Sequence, residues 1–174
     1  MQTAALSKAP IIASHSAARA LCDVSRNMDD EQLLALKKTG GVIQAFAYSS
    51  SVKTTRPDSS DRAAALAAAR KEHNLPEPTG PGQRARFQSA LTKLSADNRA
   101  QYEKKLAEID KQHPGDPPAN LKEFVDHIDY AVKLIGIDHV GISSDFDGGG
   151  GVIGWNDASE TFNVTLELVR RGYT

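Results

Sequence analysis

Cysteine is almost absent from this 174-residue chain: Cys22 stands alone, so no intrachain disulfide can form and the redox compartment is left open. The same count excludes a structural zinc site of the Cys2His2 kind. Charge of one sign is missing as well. The 21 basic and 22 acidic residues leave a formal net charge of −1, which gives no reason to expect nucleic acid or an anionic membrane surface as partner. No apolar run approaches the roughly 20 residues that span a bilayer. The opening residues Met1-Gln2-Thr3-Ala4-Ala5-Leu6 lack the basic start and apolar stretch of a signal peptide. Any leader would lie upstream of Met1, so localisation is unknown at this level.

What is present suits a globular α/β chain. At 40% hydrophobic and 25% charged, its length allows one domain with a sizeable core. Three short strands are legible: Pro10 opens Ile11–Ser14, Gly40-Gly41 opens Val42–Phe46, and His139 opens Val140–Ile142. All are mostly apolar instead of alternating, as expected of strands covered on both faces in a parallel sheet. Helical patterns follow each. Asp29 is an N-cap for Asp30–Lys38 with Gln32 at N3, and Asn120 caps a helix with Glu123 at N3. Phe124, Ile128, Ala131 and Ile135 then recur on one helical face, which stops at Gly136. A last helix is expected from about Ala158 to Arg171, with Gly172 as its stop.

The stretch 49–119 breaks this alternation. It is charged, alanine-rich and interrupted by Pro76, Pro78 and Pro81, and it predicts helices near Asp61–His73, Gln83–Leu94 and Asp97–Gln112. Its apolar residues are expected to be too sparse for an independent core, so it reads as a helical insertion within one catalytic domain, 1–174, that is itself incomplete. Two features suggest that the domain is cut at both ends. Gln2–Lys8 reads as the tail of a helix without an N-cap, and three parallel strands cannot close a barrel.

Three positions are candidates for chemistry. Val140–Ser144 runs into Asp145-Phe146-Asp147 and then four glycines, Gly148 to Gly151. An acid at the carboxyl end of a buried strand stands on a rigid element facing a site, although Asp and Gly are also ordinary turn residues. His15, in Ser14-His15-Ser16, ends the first strand and can bind metal or act as acid and base; a lone histidine there is more often structural. Parallel strands bring their carboxyl ends to one face, so His15 and Asp145 are expected to share a site. Arg26 lies in the following loop, where its fork of donors suits a carboxylate or phosphate; its ordinary alternatives are solvation or a pair with Asp23. Cys22, in an apolar segment, reads as a small buried residue in preference to a nucleophile.

Taken in order, His15-Ser16-Ala17, Arg26-Asn27, the helix from Asp29, Gly41-Val42-Ile43, His127-Ile128-Asp129-Tyr130, the run Gly136–Ile142 with Asp145-Phe146-Asp147-Gly148, and Leu168–Tyr173 resemble the membrane (renal) dipeptidase family of metallopeptidases. The resemblance implies a TIM-like (β/α) barrel of the metal-dependent hydrolase type, a site for two zinc ions, and hydrolysis of dipeptides. In its terms His15 is a zinc ligand, Arg26 takes the substrate's terminal carboxylate, and Asp145 binds substrate and shuttles protons near the scissile bond. Tyr48, after the second strand, is a weaker candidate for lining the pocket. Asp147 is left a turn or supporting role.

The departures are as specific. The family's His-x-Asp pair, bridging glutamate and earlier histidine have no counterpart here. His73 and His113 are expected in solvent, His127 is on a helix, and His139 precedes its strand on the side away from the site. The expectation is therefore part of a barrel with a helical insertion, lacking the first metal ligands and without appreciable turnover in isolation. Its partners are a dipeptide substrate and, left open, a second copy of the chain. Two other readings stand beside it. One is a non-catalytic truncated domain. The other is a phosphotransferase of the haloacid dehalogenase type using Asp145 and Asp147, disfavoured because that strand should open its domain.

Overall fold

The computed structural model describes residues 2–78 and 83–174, and the chain divides into two compact units. The first comprises Met1–Thr55 and Pro118–Thr174, the second Arg56–Pro117.

In the first unit α1 (Gln2–Leu6) leads into β1 (Ile12–Ser16), then α2 (Asp30–Lys38), β2 (Val42–Phe46) and the short α3 (Ser49–Val52). After the second unit come α7 (Leu121–Ile135), β3 (Val140–Ser143) and α8 (Thr161–Arg170). Local chemistry explains where the helices start. The Asp29 carboxylate accepts from Gln32 N–H at 2.8 Å while the Gln32 side chain accepts from Asp29 N–H at 3.0 Å. Asn120 and Glu123 form the same reciprocal cap on α7, satisfying donors that a helix start leaves orphaned. Gly136 ends α7 at φ +94°, a conformation that penalises any residue with a Cβ.

The strands form one parallel sheet in the order β1-β2-β3, so their carboxyl ends, Ser16, Phe46 and Ser143, lie along the same edge. α2 and α7 cover one face of this sheet, with Leu33, Leu36, Ala131 and Ile135 clustered with Ile43 of β2. A second cluster gathers Ala45, Val52, Phe124, Ile128, Trp155 and Val164. The apolar stripe expected on α7 is buried at every position: Phe124, Ile128, Ala131 and Ile135. Arg171, just past α8, latches that helix to α7. It donates to Glu167, Asp126, Asp129 and the Lys122 carbonyl, and Tyr173 adds a hydrogen bond to Asp129.

The second unit contains α4 (Ser60–Glu72), α5 (Gln83–Thr92) and α6 (Ala96–Gln112). It holds a core of its own, contrary to the sparseness expected from its composition: Ala69, Leu75, Tyr102 and Ile109 are buried, with Leu66, Phe87, Leu91 and Leu106 packed against them. Each helix contributes only a few apolar residues, and the cluster forms because folding pools them. His73 is half-buried with its ring edge-on to Tyr102 at 5.3 Å, and His113 is half-buried at the end of α6, so neither stands free in solvent. Pro81, one of the expected helix breakers, lies outside the described residues. The unit is narrower than 49–119 because α3 and Ala119 belong to the sheet's core through Val52 and Ala119 themselves.

Candidate functional site at the strand ends

His15 lies inside β1, one residue before its end, and a bulge decides where it points. Ala13 pairs with Ile43 but Ser16 pairs with Ala45, so β1 carries one extra residue between those pairs. Strict alternation would put His15 on the face of Ala13, under α2. The bulge moves it to the opposite face and leaves Ser16 buried in its stead. The His15 ring meets Phe46 edge-on with centroids 6.0 Å apart, and its side chain keeps 40% exposure.

Asp145 arrives from the other side of β2. Its Oδ1 is 3.6 Å from His15 Nε2, while His15 Nδ1 hydrogen-bonds the Ser14 hydroxyl at 2.9 Å. Asp145 has φ +53°, a left-handed conformation that is uncommon for a residue with a side chain and is often found at functional sites. The glycines behind it hold this turn. Gly150 N–H donates to the Asp145 carbonyl at 2.6 Å, and Gly151 N–H donates to the Ala47 carbonyl at 2.6 Å. A methyl group at Gly148 would overlap the Asp145 carboxylate, and one at Gly150 would overlap the Ser144 carbonyl. The run Gly148–Gly151 is therefore where the backbone folds tightly around the acid.

Arg26 completes the set from the loop after β1. Its guanidinium carbon stands 5.4 Å from the Phe46 ring centroid, a cation-over-face contact. Phe46 in turn stacks on Tyr48 at 5.7 Å. Among the described residues no ion pair joins Arg26 to Asp23. Arg26 and Asp145 line one cavity of about 460 Å³ together with Phe46, Tyr48, Ser50 and Ser51. That volume is within the range of small-molecule sites. Asp147 is exposed and does not line it.

Of the other residues singled out, Cys22 is buried, with its thiol 3.6 Å from the Ser50 carbonyl and 3.4 Å from the Thr54 hydroxyl. His139 hydrogen-bonds the Gly41 carbonyl at 2.8 Å, at the amino-terminal ends of the strands and away from the cavity. Two residues without an assigned role prove central. Asn27 is buried and donates to the carbonyls of Cys22 (2.9 Å) and Ser51 (2.8 Å). His127 is buried and bridges Ala18 N–H and the Val52 carbonyl. Its position was a legible signal, since it lies three residues after Phe124 and four before Ala131, on the buried stripe of α7. Burial pushes its pKa below the ordinary value, partly offset by its bond to Val52 and the charge of Asp126. Among the described residues no group of three or more His, Cys, Asp or Glu side chains could hold a metal ion.

Arginine and aspartate lining an open cavity at the carboxyl ends of parallel strands, with a histidine beside the aspartate, define an α/β protein with a strand-end site, the arrangement in which such folds bind ligands. The chain belongs to the membrane dipeptidase family (peptidase family M19), whose family model matches residues 1–174. It is 46% identical to the probable dipeptidase PvdM of Pseudomonas aeruginosa, with a TM-score of 0.62 over 99% of this chain and 42% of that one. The dipeptidase ataJ of Aspergillus terreus is 31% identical over 169 residues, which are 97% of this chain and 27% of that protein. A metallopeptidase of Rhodobacter sphaeroides, solved with a phosphinate mimic of the dipeptide L-Ala-D-Ala, shares the fold at 21% identity and a TM-score of 0.59 over 98% of this chain and 32% of that one. The chain thus spans about a quarter to two fifths of the length of these relatives. Among the described residues no helix is long and apolar enough to cross a membrane.

Proposed function

We propose that this chain supplies the side of a metal-dependent dipeptidase site that grips the substrate's carboxylate and carries a proton to the departing amine. One observation carries the reading: Arg26 and Asp145 face the same strand-end cavity, with His15 Nε2 3.6 Å from Asp145. Membership of a dipeptidase family supports dipeptides as the substrate class. Arg26 would hold the terminal carboxylate with paired N–H bonds, its swing restricted by the Phe46 face. Asp145, held in its turn by the glycines, would accept the proton of the attacking water on its carboxylate and return it to the departing amine. The parallel sheet with intervening helices supports the further reading that these strands are part of a (β/α) barrel.

The zinc implied by the sequence resemblance does not fit the described residues by themselves. His15 is the proposed ligand and Asp145 the carboxylate beside it, but two donors do not make a zinc site. No step of the reaction is assigned to a metal on them. Asp147, exposed and outside the cavity, gives the phosphotransferase reading no support.

The test is titration of the purified chain with L-Ala-L-Ala, followed by NMR. Saturable shifts are expected at Arg26, Phe46 and Asp145, without turnover when zinc is added. Arg26→Ala should raise Kd about 10- to 100-fold, since hydrogen bonds to a charged group contribute ~1.5–3 kcal/mol. Binding that survives Arg26→Ala unchanged would refute the reading. Absence of binding would favour a non-catalytic domain.

A further inference from the structure

The Arg26 side chain is long and exposed, so its usefulness depends on what fixes the backbone beneath it. That backbone is clamped from several directions. The buried Ser16 hydroxyl donates to the Arg26 carbonyl at 3.1 Å, and Met28 N–H donates to the Ala17 carbonyl at 2.9 Å. Next to Arg26, the buried Asn27 amide uses both of its N–H bonds. One closes the loop onto Cys22 and the other crosses to Ser51 of α3, on the cavity wall.

His127 makes a second tie between the same two segments. Ala18 N–H can only donate, so Nδ1 of His127 accepts at 3.1 Å and must be unprotonated. The ring proton is then on Nε2 and is donated to the Val52 carbonyl at 2.9 Å. A single neutral tautomer satisfies both partners, and all three residues are buried. The loop that carries Arg26 and the helix that carries Ser51 are thus joined directly by Asn27 and jointly to α7 by His127.

We infer that Asn27 is a positioning residue that sets Arg26 against the cavity by tying its loop to Ser51, with His127 as the second member of the brace. The inference rests on the dipeptide-carboxylate reading above. Neither side chain touches substrate. Their effect is on where the guanidinium fork stands, and a bidentate contact tolerates little displacement.

The experiment compares two probes on the whole chain, L-Ala-L-Ala and its C-terminal amide, which lacks the carboxylate. Asn27→Ala should raise Kd for the dipeptide about fivefold or more while leaving that for the amide unchanged. Asn27→Ser, which keeps one donor and folds more readily, should fall between. His127→Leu should act in the same direction, and His127→Gln, which can both donate and accept, should recover part of the loss. Equal weakening of both probes overturns the inference, because it would report general damage to the cavity. An unchanged Kd for the dipeptide in Asn27→Ala and Asn27→Ser overturns it as well. If Arg26→Ala itself leaves dipeptide binding intact, the carboxylate reading fails first and the positioning role falls with it. That arm separates the two failures.

Discussion

Replacing His127 with leucine isolates the energetic role of one buried side chain. Leucine keeps apolar bulk on the core face of α7 but can neither accept from Ala18 N–H nor donate to the Val52 carbonyl, now joined to the imidazole at 3.1 and 2.9 Å. Ala18 and Val52 are themselves buried, so water cannot substitute without local opening. Each orphaned buried group costs about 1–3 kcal/mol. The apolar replacement returns roughly 1–2 kcal/mol through burial, so a net loss of about 1–4 kcal/mol is expected. Urea unfolding followed by Trp155 fluorescence measures it. Trp155 is the sole tryptophan and packs on Phe124 and Phe146, so the signal reports the sheet unit separately from the helical one. The sign of the pH dependence gives a second check. Burial lowers the folded-state pKa of His127, opposed by its bond to Val52 and by Asp126. The unfolded chain therefore binds a proton that the folded chain excludes. This contribution is complete above about pH 6.5 and is lost as the pH falls toward the folded-state pKa, at up to about 1.4 kcal/mol per pH unit. The gap between wild type and His127→Leu should narrow over that range. A variant within about 0.5 kcal/mol of wild type at pH 8 would refute the reasoning.

Two other substitutions probe the site and the scaffold. Gly148→Ala places a methyl group where the Asp145 carboxylate now sits, so it should displace that carboxylate from His15 while leaving the fold intact; His15 ring signals identical to wild type by NMR would show that Asp145 has room to spare. Arg171→Met removes the cation shared by Asp126, Asp129 and Glu167. With the arginine side chain 19% exposed, the loss should be about 1–3 kcal/mol, below that of a fully buried pair. Arg171→Lys should recover little, because one ammonium cannot reproduce a fork that also serves the Lys122 carbonyl. A urea midpoint unmoved by Arg171→Met would show the latch to be ornamental.

Local chemistry made much of this protein legible in its sequence. Capping pairs such as Asp29 with Gln32 and Asn120 with Glu123 act within one turn, so the starts of α2 and α7 could be read residue by residue. The apolar stripe of α7 and the apolar runs of the strands carry their periodicity in the chain itself. That regularity placed His15 and Asp145 near the ends of parallel strands, and hence near each other. Other properties depend on partners far away in the chain. The core of the helical unit exists only because α4 and α6 pool residues that are sparse in each. The extra residue in β1 is defined only against β2, and it turns His15 away from the helices and toward Phe46. Asn27 reads as an unremarkable polar residue, and His127 only as a histidine on the apolar stripe of α7, until folding places carbonyls and an N–H from other segments around them. The sequence by itself determined the elements and the parallel sheet, because those follow from periodicity and short-range hydrogen bonding, and it put His15, Arg26 and Asp145 forward as candidates. Only the tertiary structure decided which way His15 faces, what holds Arg26 and how the glycines shape Asp145, because each of those depends on groups brought together from distant parts of the chain.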